Sequence, residues 1–76
     1  MLKRKLNPMP GDIRAALIRR GLMRAYRERP AYQRNDYLGW IVRAKLPATQ
    51  QKRLAQMLDE LARGDVYMKM AWRGKA

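Results

Sequence analysis

The sequence predicts a small all-α domain, and three observations carry that expectation. Apolar residues recur at helical spacing in four separate stretches, proline or glycine punctuates the intervals between them, and no stretch alternates with the period of two that a strand requires. The expected architecture is a small irregular bundle of three to four short helices, at about 10–20, 22–29, 31–45 and 47–63, packed around Trp40.

The first helix is expected to open at Pro10-Gly11-Asp12, where the charge of Asp12 suits the positive end of the helix dipole. Ile13, Ala16 and Leu17 then fall at i, i+3 and i+4. Gly21 breaks the pattern and ends the helix; a continuous helix through it is the alternative, at a cost of about 1 kcal/mol relative to alanine. Leu22, Ala25 and Tyr26 repeat the spacing in a second helix that stops at Pro30.

Pro30-Ala31 opens the third helix, proline being suited to a first-turn position. Its apolar stripe is Tyr37, Trp40, Ile41 and Ala44. The fourth helix starts near Pro47, carries Leu54, Met57, Leu58 and Leu61 on one face, and ends at Gly64. The short connection through Lys45, Leu46 and Pro47 makes these two helices neighbours in a helical hairpin. Leu17, Tyr37, Trp40, Ile41, Leu54, Leu58 and Leu61 are the expected core. A Trp40→Ala change is accordingly expected to cost about 3–5 kcal/mol.

Beyond Gly64 the composition changes. The run from Asp65 to Trp72 is apolar without helical spacing. Its start is expected to pack on the bundle, with mobility beyond Trp72. The whole chain reads as a single domain with an ordered core at about 10–67 and flexible tails at 1–8 and 73–76.

The 76 residues contain no cysteine and no histidine, which removes disulfides, thiolate chemistry, Cys/His zinc sites and histidine general bases. Six carboxylates remain, and the adjacent pair Asp59 and Glu60 point about 100° apart on a helix, so they do not face a common substrate. No catalytic residue, metal site or cofactor is expected, and the chain reads as a binding module rather than an enzyme. No apolar run reaches the ~20 residues that a membrane-spanning helix needs. Lys3, Arg4 and Lys5 give the start a signal-like charge, but Asn7, Pro8 and Pro10 interrupt before any apolar stretch, so a cytoplasmic location is expected.

Charge is the strongest compositional signal: eighteen Lys and Arg against six acids, a formal charge of +12. Such a field attracts polyanions. It is concentrated in the first half, where Arg14, Arg19, Arg20, Arg24, Arg27, Arg29 and Arg34 lie with Glu28 as the single acid among them. Arg14, Arg19, Arg20, Arg24, Arg27 and Arg34 are the candidate anion-binding residues, because the guanidinium fork matches phosphate and carboxylate oxygens. The alternative is a solvated outer face whose aliphatic stems cover the core. The partners that fit are nucleic acid, held non-specifically through phosphates, or an acidic protein surface. The linker at Pro47 lacks the glycine of a helix-turn-helix, and the fourth helix has no exposed row of base-reading side chains. Nothing in the sequence calls for more than a monomer.

The third and fourth helices carry a family likeness. Tyr37-Leu38-Gly39-Trp40-Ile41-Val42-Arg43-Ala44-Lys45-Leu46-Pro47-Ala48-Thr49 resembles the signature of the YdeI/OmpD-associated family. That signature runs Tyr, two variable residues, Trp-Ile, two variable residues, Ala-Lys, one variable residue, Pro, one variable residue, Thr. Arg53-Leu54, the ending from Leu61 to Gly64 and the opening from Pro10 to Ile13 also match, so the resemblance covers roughly residues 9 to 64. Asn35-Asp36 replaces the usual Arg-Glu, and Gln51 stands where arginine is common. The resemblance implies a helical fold and, by the family name, a role in bacteriocin protection or association with an outer-membrane porin. It implies no catalytic residues.

Overall fold

The computed structural model describes residues 6–73 and contains four helices followed by a short hairpin. The helices are α1 (Gly11–Arg19), α2 (Met23–Arg27), α3 (Ala31–Arg43) and α4 (Pro47–Arg63). Strands β1 (Val66–Tyr67) and β2 (Met70–Ala71) pair antiparallel, with Val66 opposite Ala71 and Tyr67 opposite Met70. The four-helix expectation is met, with ends within a few residues of those predicted. The hairpin was not expected; it corrects the expectation that no sheet forms.

Each helix end has a local cause. Gly21, at φ 67°, breaks the chain between α1 and α2. The Gly21 amide donates to the Ile18 carbonyl and the Leu22 amide to the Leu17 carbonyl, the paired bonds of a Schellman ending. Gly64, at φ 84°, closes α4 with one bond from its amide to the Glu60 carbonyl. Pro47 occupies the first turn of α4, where its missing N–H leaves nothing unpaired.

α3 and α4 run antiparallel and side by side, as the short linker predicts. Side chains of α4 close the end of α3: Arg53 Nη1 donates to the Trp40 carbonyl and Gln50 Nε2 to the Ala44 carbonyl. Those carbonyls have no partner within their own helix. The Arg53 guanidinium also lies 5.2 Å from the Trp40 ring centroid.

The core joins Ile13, Ala16 and Leu17 of α1, Tyr26 of α2, Tyr37, Leu38 and Ile41 of α3, and Leu54, Met57, Leu58 and Leu61 of α4. Six of the seven expected core residues are therefore buried. Trp40 is the exception, and the centre of the bundle is Tyr37, which is fully buried. The core-facing arc of α3 runs through Gln33, Tyr37, Leu38 and Ile41, so Trp40 stands at its edge, half-buried under Arg53.

The N-terminal segment is tied to α3. The Asn7 amide donates to Asn35 Oδ1 at 2.7 Å, and Asn7 Nδ2 donates to the Asn35 carbonyl and to Asn35 Oδ1. Gly39 makes room for this contact, since a Cβ there would fall 2.9 Å from Asn7 Nδ2. Of the expected flexible tails, residues 1–5 and 74–76 lie outside the described residues.

Candidate anion-binding surface

The predicted arginines separate into three groups. Arg14, Arg19, Arg20 and Arg27 are exposed, and among the described residues no ion pair or side-chain hydrogen bond holds their guanidinium groups. Arg24 is exposed too, with Nε 3.3 Å from Glu28 Oε2 one turn later. Arg34 is half-buried and donates from Nε to the Arg29 carbonyl at 3.1 Å, which ties it to the end of α2. Arg29 is removed from the surface altogether, at 4% exposure.

The exposed members do not form one stripe. Ile13, Ala16 and Leu17 turn α1 inward, and Arg14 and Arg19, five residues apart, project about 140° from each other on its outer side. On α2, Tyr26 faces the core while Arg24 and Arg27, three apart, share the outer face. The positive surface therefore wraps around the α1–α2 corner, with Arg20 beside the Gly21 break.

Arg29 instead belongs to a buried polar network that links the α2–α3 connection, α3, α4 and the hairpin. Its Nη1 donates to Gln33 Oε1 and its Nη2 to the Glu60 carbonyl. The Trp72 ring covers it, with the guanidinium carbon 4.5 Å from the ring centroid. Glu60, 3% exposed, is the hub. Its carboxylate accepts from Tyr37 Oη at 2.5 Å, from Gln56 Nε2, and from the amides of Met68 and Lys69. Burial, then the hydrogen bond to Glu60 and that carboxylate's charge, push the Tyr37 hydroxyl well above the ordinary tyrosine range. Tyr67 completes the cluster, standing edge-on to Tyr37 with centroids 5.4 Å apart and donating to Asp36 Oδ2. Among the described residues no buried side-chain nitrogen or oxygen lacks a hydrogen-bond partner.

Sequence reasoning missed this network. Gln33, four residues before Tyr37, and Glu60, next to Leu61, lie on the same faces as the apolar stripes, and that register was the available signal. Arg29 gave none, since its burial depends on a carbonyl 31 residues away.

Two hollows remain. An open groove of about 440 Å³ lies between α4 and the hairpin, where Asp59 and Asp65 share the rim with Arg63 and Lys69. A smaller one of about 70 Å³ is lined by Ala25, Glu28, Arg29, Leu61, Gly64 and Trp72. The Glu60 carboxylate on the groove wall has both oxygens committed to donors and holds the hairpin turn in place. No group of three metal-ligating side chains occurs among the described residues, and no helix among them is long and apolar enough to cross a membrane.

No curated protein and no solved structure matches the chain. A family model described as bacteriocin-protection, YdeI or OmpD-associated matches residues 8–64. The match takes in all four helices and ends on the glycine that closes α4. It spans well over half of the sequence, so the chain belongs to the bacteriocin-protection family of YdeI- or OmpD-associated proteins.

Proposed function

We propose that this protein is a non-enzymatic binding module that engages an anionic partner, nucleic acid or an acidic protein surface, through the arginines of the α1–α2 corner. The observation that carries the reading is the exposure of Arg14, Arg19, Arg20, Arg24 and Arg27 with Glu28 as the one acid between residues 14 and 34. A surface that wraps around a corner suits contacts to a flexible or convex polyanion, which need charge and no base-specific geometry. The buried tyrosine, glutamate and arginine, the groups best suited to chemistry, are all engaged in holding the fold.

Titration with duplex DNA, single-stranded RNA and polyglutamate at two salt concentrations tests the reading. Affinity for one of these that falls steeply with salt is the expected result, and the preferred polymer identifies the partner class. Absence of binding to all three at low salt would overturn it.

The family match favours a second reading, an accessory protein of bacteriocin or stress resistance that acts at the envelope through protein contacts. Survival of a sensitive bacterium under bacteriocin, with and without the protein, tests it. Identical survival curves would sink this reading and leave the first untouched.

A further inference from the structure

The corner where α3 turns into α4 combines exposed aliphatic side chains with positive charge and no acid. Val42 and Leu46 are 42% and 65% exposed on either side of the end of α3. Leu6, 79% exposed, immediately precedes Asn7, whose bonds to Asn35 hold the N-terminal segment against the face of α3 that carries Asn35, Gly39, Val42 and Arg43. Arg43 and Lys45, chain neighbours of Val42 and Leu46, are exposed as well. From Tyr37 through Leu58 the sequence contains four cations and not one carboxylate, so the corner carries no negative charge of its own. The N-terminus of α4, the positive end of its dipole, lies there as well, with no acid in its first turn.

We propose that this corner is a peripheral docking surface for an anionic lipid bilayer, separate from the arginines of α1 and α2. Aliphatic tips with cations beside them match the boundary between acyl chains and anionic headgroups, where each component gains on contact. A nucleic-acid backbone would satisfy the cations and leave Val42, Leu46 and Leu6 in water. An acidic protein would need an apolar patch of matching shape, whereas a bilayer supplies apolar depth and negative charge everywhere on its surface. Charge complementarity and aliphatic exposure at one corner thus select the bilayer.

Cosedimentation with vesicles tests the proposal, using phosphatidylcholine alone and phosphatidylcholine mixed with phosphatidylglycerol. The full chain is expected to bind the mixed vesicles, to release with added salt, and to ignore the neutral ones. Val42→Gln combined with Leu46→Gln changes only exposed side chains, and the circular dichroism of the variant should match that of the parent. Its vesicle affinity should fall by about tenfold, as loss of two inserting aliphatic groups predicts. Arg43→Gln with Lys45→Gln should cause a comparable loss, while Arg19→Gln with Arg20→Gln and Arg24→Gln should leave vesicle binding within about twofold of the parent. The proposal is overturned if mixed vesicles are not bound, or if the aliphatic variant binds as well as the parent. Equal losses from the corner and α1–α2 charge variants would also overturn it, as would loss of DNA affinity in the aliphatic variant. The test stands apart from the α1–α2 reading, which polymer titration alone decides.

Discussion

The carboxylate of Glu60 grips the turn of the hairpin: Oε1 accepts the Met68 amide at 2.8 Å and Oε2 the Lys69 amide at 2.9 Å. These two residues have φ values of 51° and 65°, the left-handed region that a two-residue hairpin turn of type I′ requires at both positions. Side chains there cost about 1–2 kcal/mol per residue, and two charge-assisted hydrogen bonds at about 1.5–3 kcal/mol each offset the strain. Glu60→Ala should therefore release the hairpin and leave Tyr37 without its acceptor, destabilising the domain by about 3 kcal/mol. Urea unfolding measures the loss, and hydrogen exchange should show the Met68 and Lys69 amides unprotected. Unchanged protection in the variant would refute the grip.

The same turn predicts a stabilising change. Asn-Gly is the pair that type I′ geometry favours, and this chain has Met-Lys. Lys69 is exposed while Met68 packs on the core, so Lys69→Gly alone should raise stability by about 1 kcal/mol, because strain at that position disappears while both backbone amides still reach Glu60. A lower thermal midpoint in the Lys69→Gly variant would show that the turn is not strained there.

Tyr37 and Trp40 trade the roles that their apolar stripe suggests. Tyr37→Ala empties the centre of the bundle and breaks the bond to Glu60, so a cost of about 3–5 kcal/mol is expected. For a domain of this size that approaches the whole stability. Trp40 is half-buried under Arg53, and its replacement by alanine should cost about 1–2 kcal/mol and leave the protein folded. Denaturant titration of the two variants checks the order; an unfolded Trp40→Ala protein with a folded Tyr37→Ala protein would reverse it.

Stability should fall in alkali. The Tyr37 hydroxyl is raised above its unfolded value, first by burial and then by Glu60, and burial raises Tyr26 as well, opposed by Arg34. A tyrosine with a raised folded value binds its proton more tightly in the folded state. Its contribution is complete below about pH 10, the ordinary tyrosine value, and is lost as the pH climbs through the folded value. Unfolding free energy measured from neutrality upward should decline above about pH 10, and Tyr37→Phe should flatten that decline while lowering stability at neutral pH. An equally steep decline in the Phe variant would exclude Tyr37 as its source.

Arg29 and Arg19 should respond in opposite ways. Arg29→Gln removes the bond to the Glu60 carbonyl and the cation beneath Trp72, and should cost about 2–4 kcal/mol. Arg19→Gln, with Arg20→Gln and Arg24→Gln, should leave the thermal midpoint nearly unchanged and lower polyanion affinity together with its salt slope. Melting curves and binding isotherms on the same samples separate the two effects. If the triple variant unfolds, those arginines are structural and the proposed surface fails.

The sequence by itself determined the helical class, the order of the helices, the breaks at Gly21 and Gly64, and the inward face of α4. These are decided locally, by spacing over one or two turns and by the backbone freedom of single residues. The family was legible for the same reason, since its signature lies in one continuous stretch around the α3–α4 linker. Tertiary structure decided which long side chains leave the surface. Arg29 finds its carbonyl acceptor 31 residues away, Tyr37 its acceptor 23 away, and the hairpin is held by a carboxylate on α4. Composition marks Arg29 and Arg19 as the same kind of residue; only the acceptors that the fold assembles bury one and leave the other in water, because a charged group leaves solvent only where its hydrogen bonds are replaced.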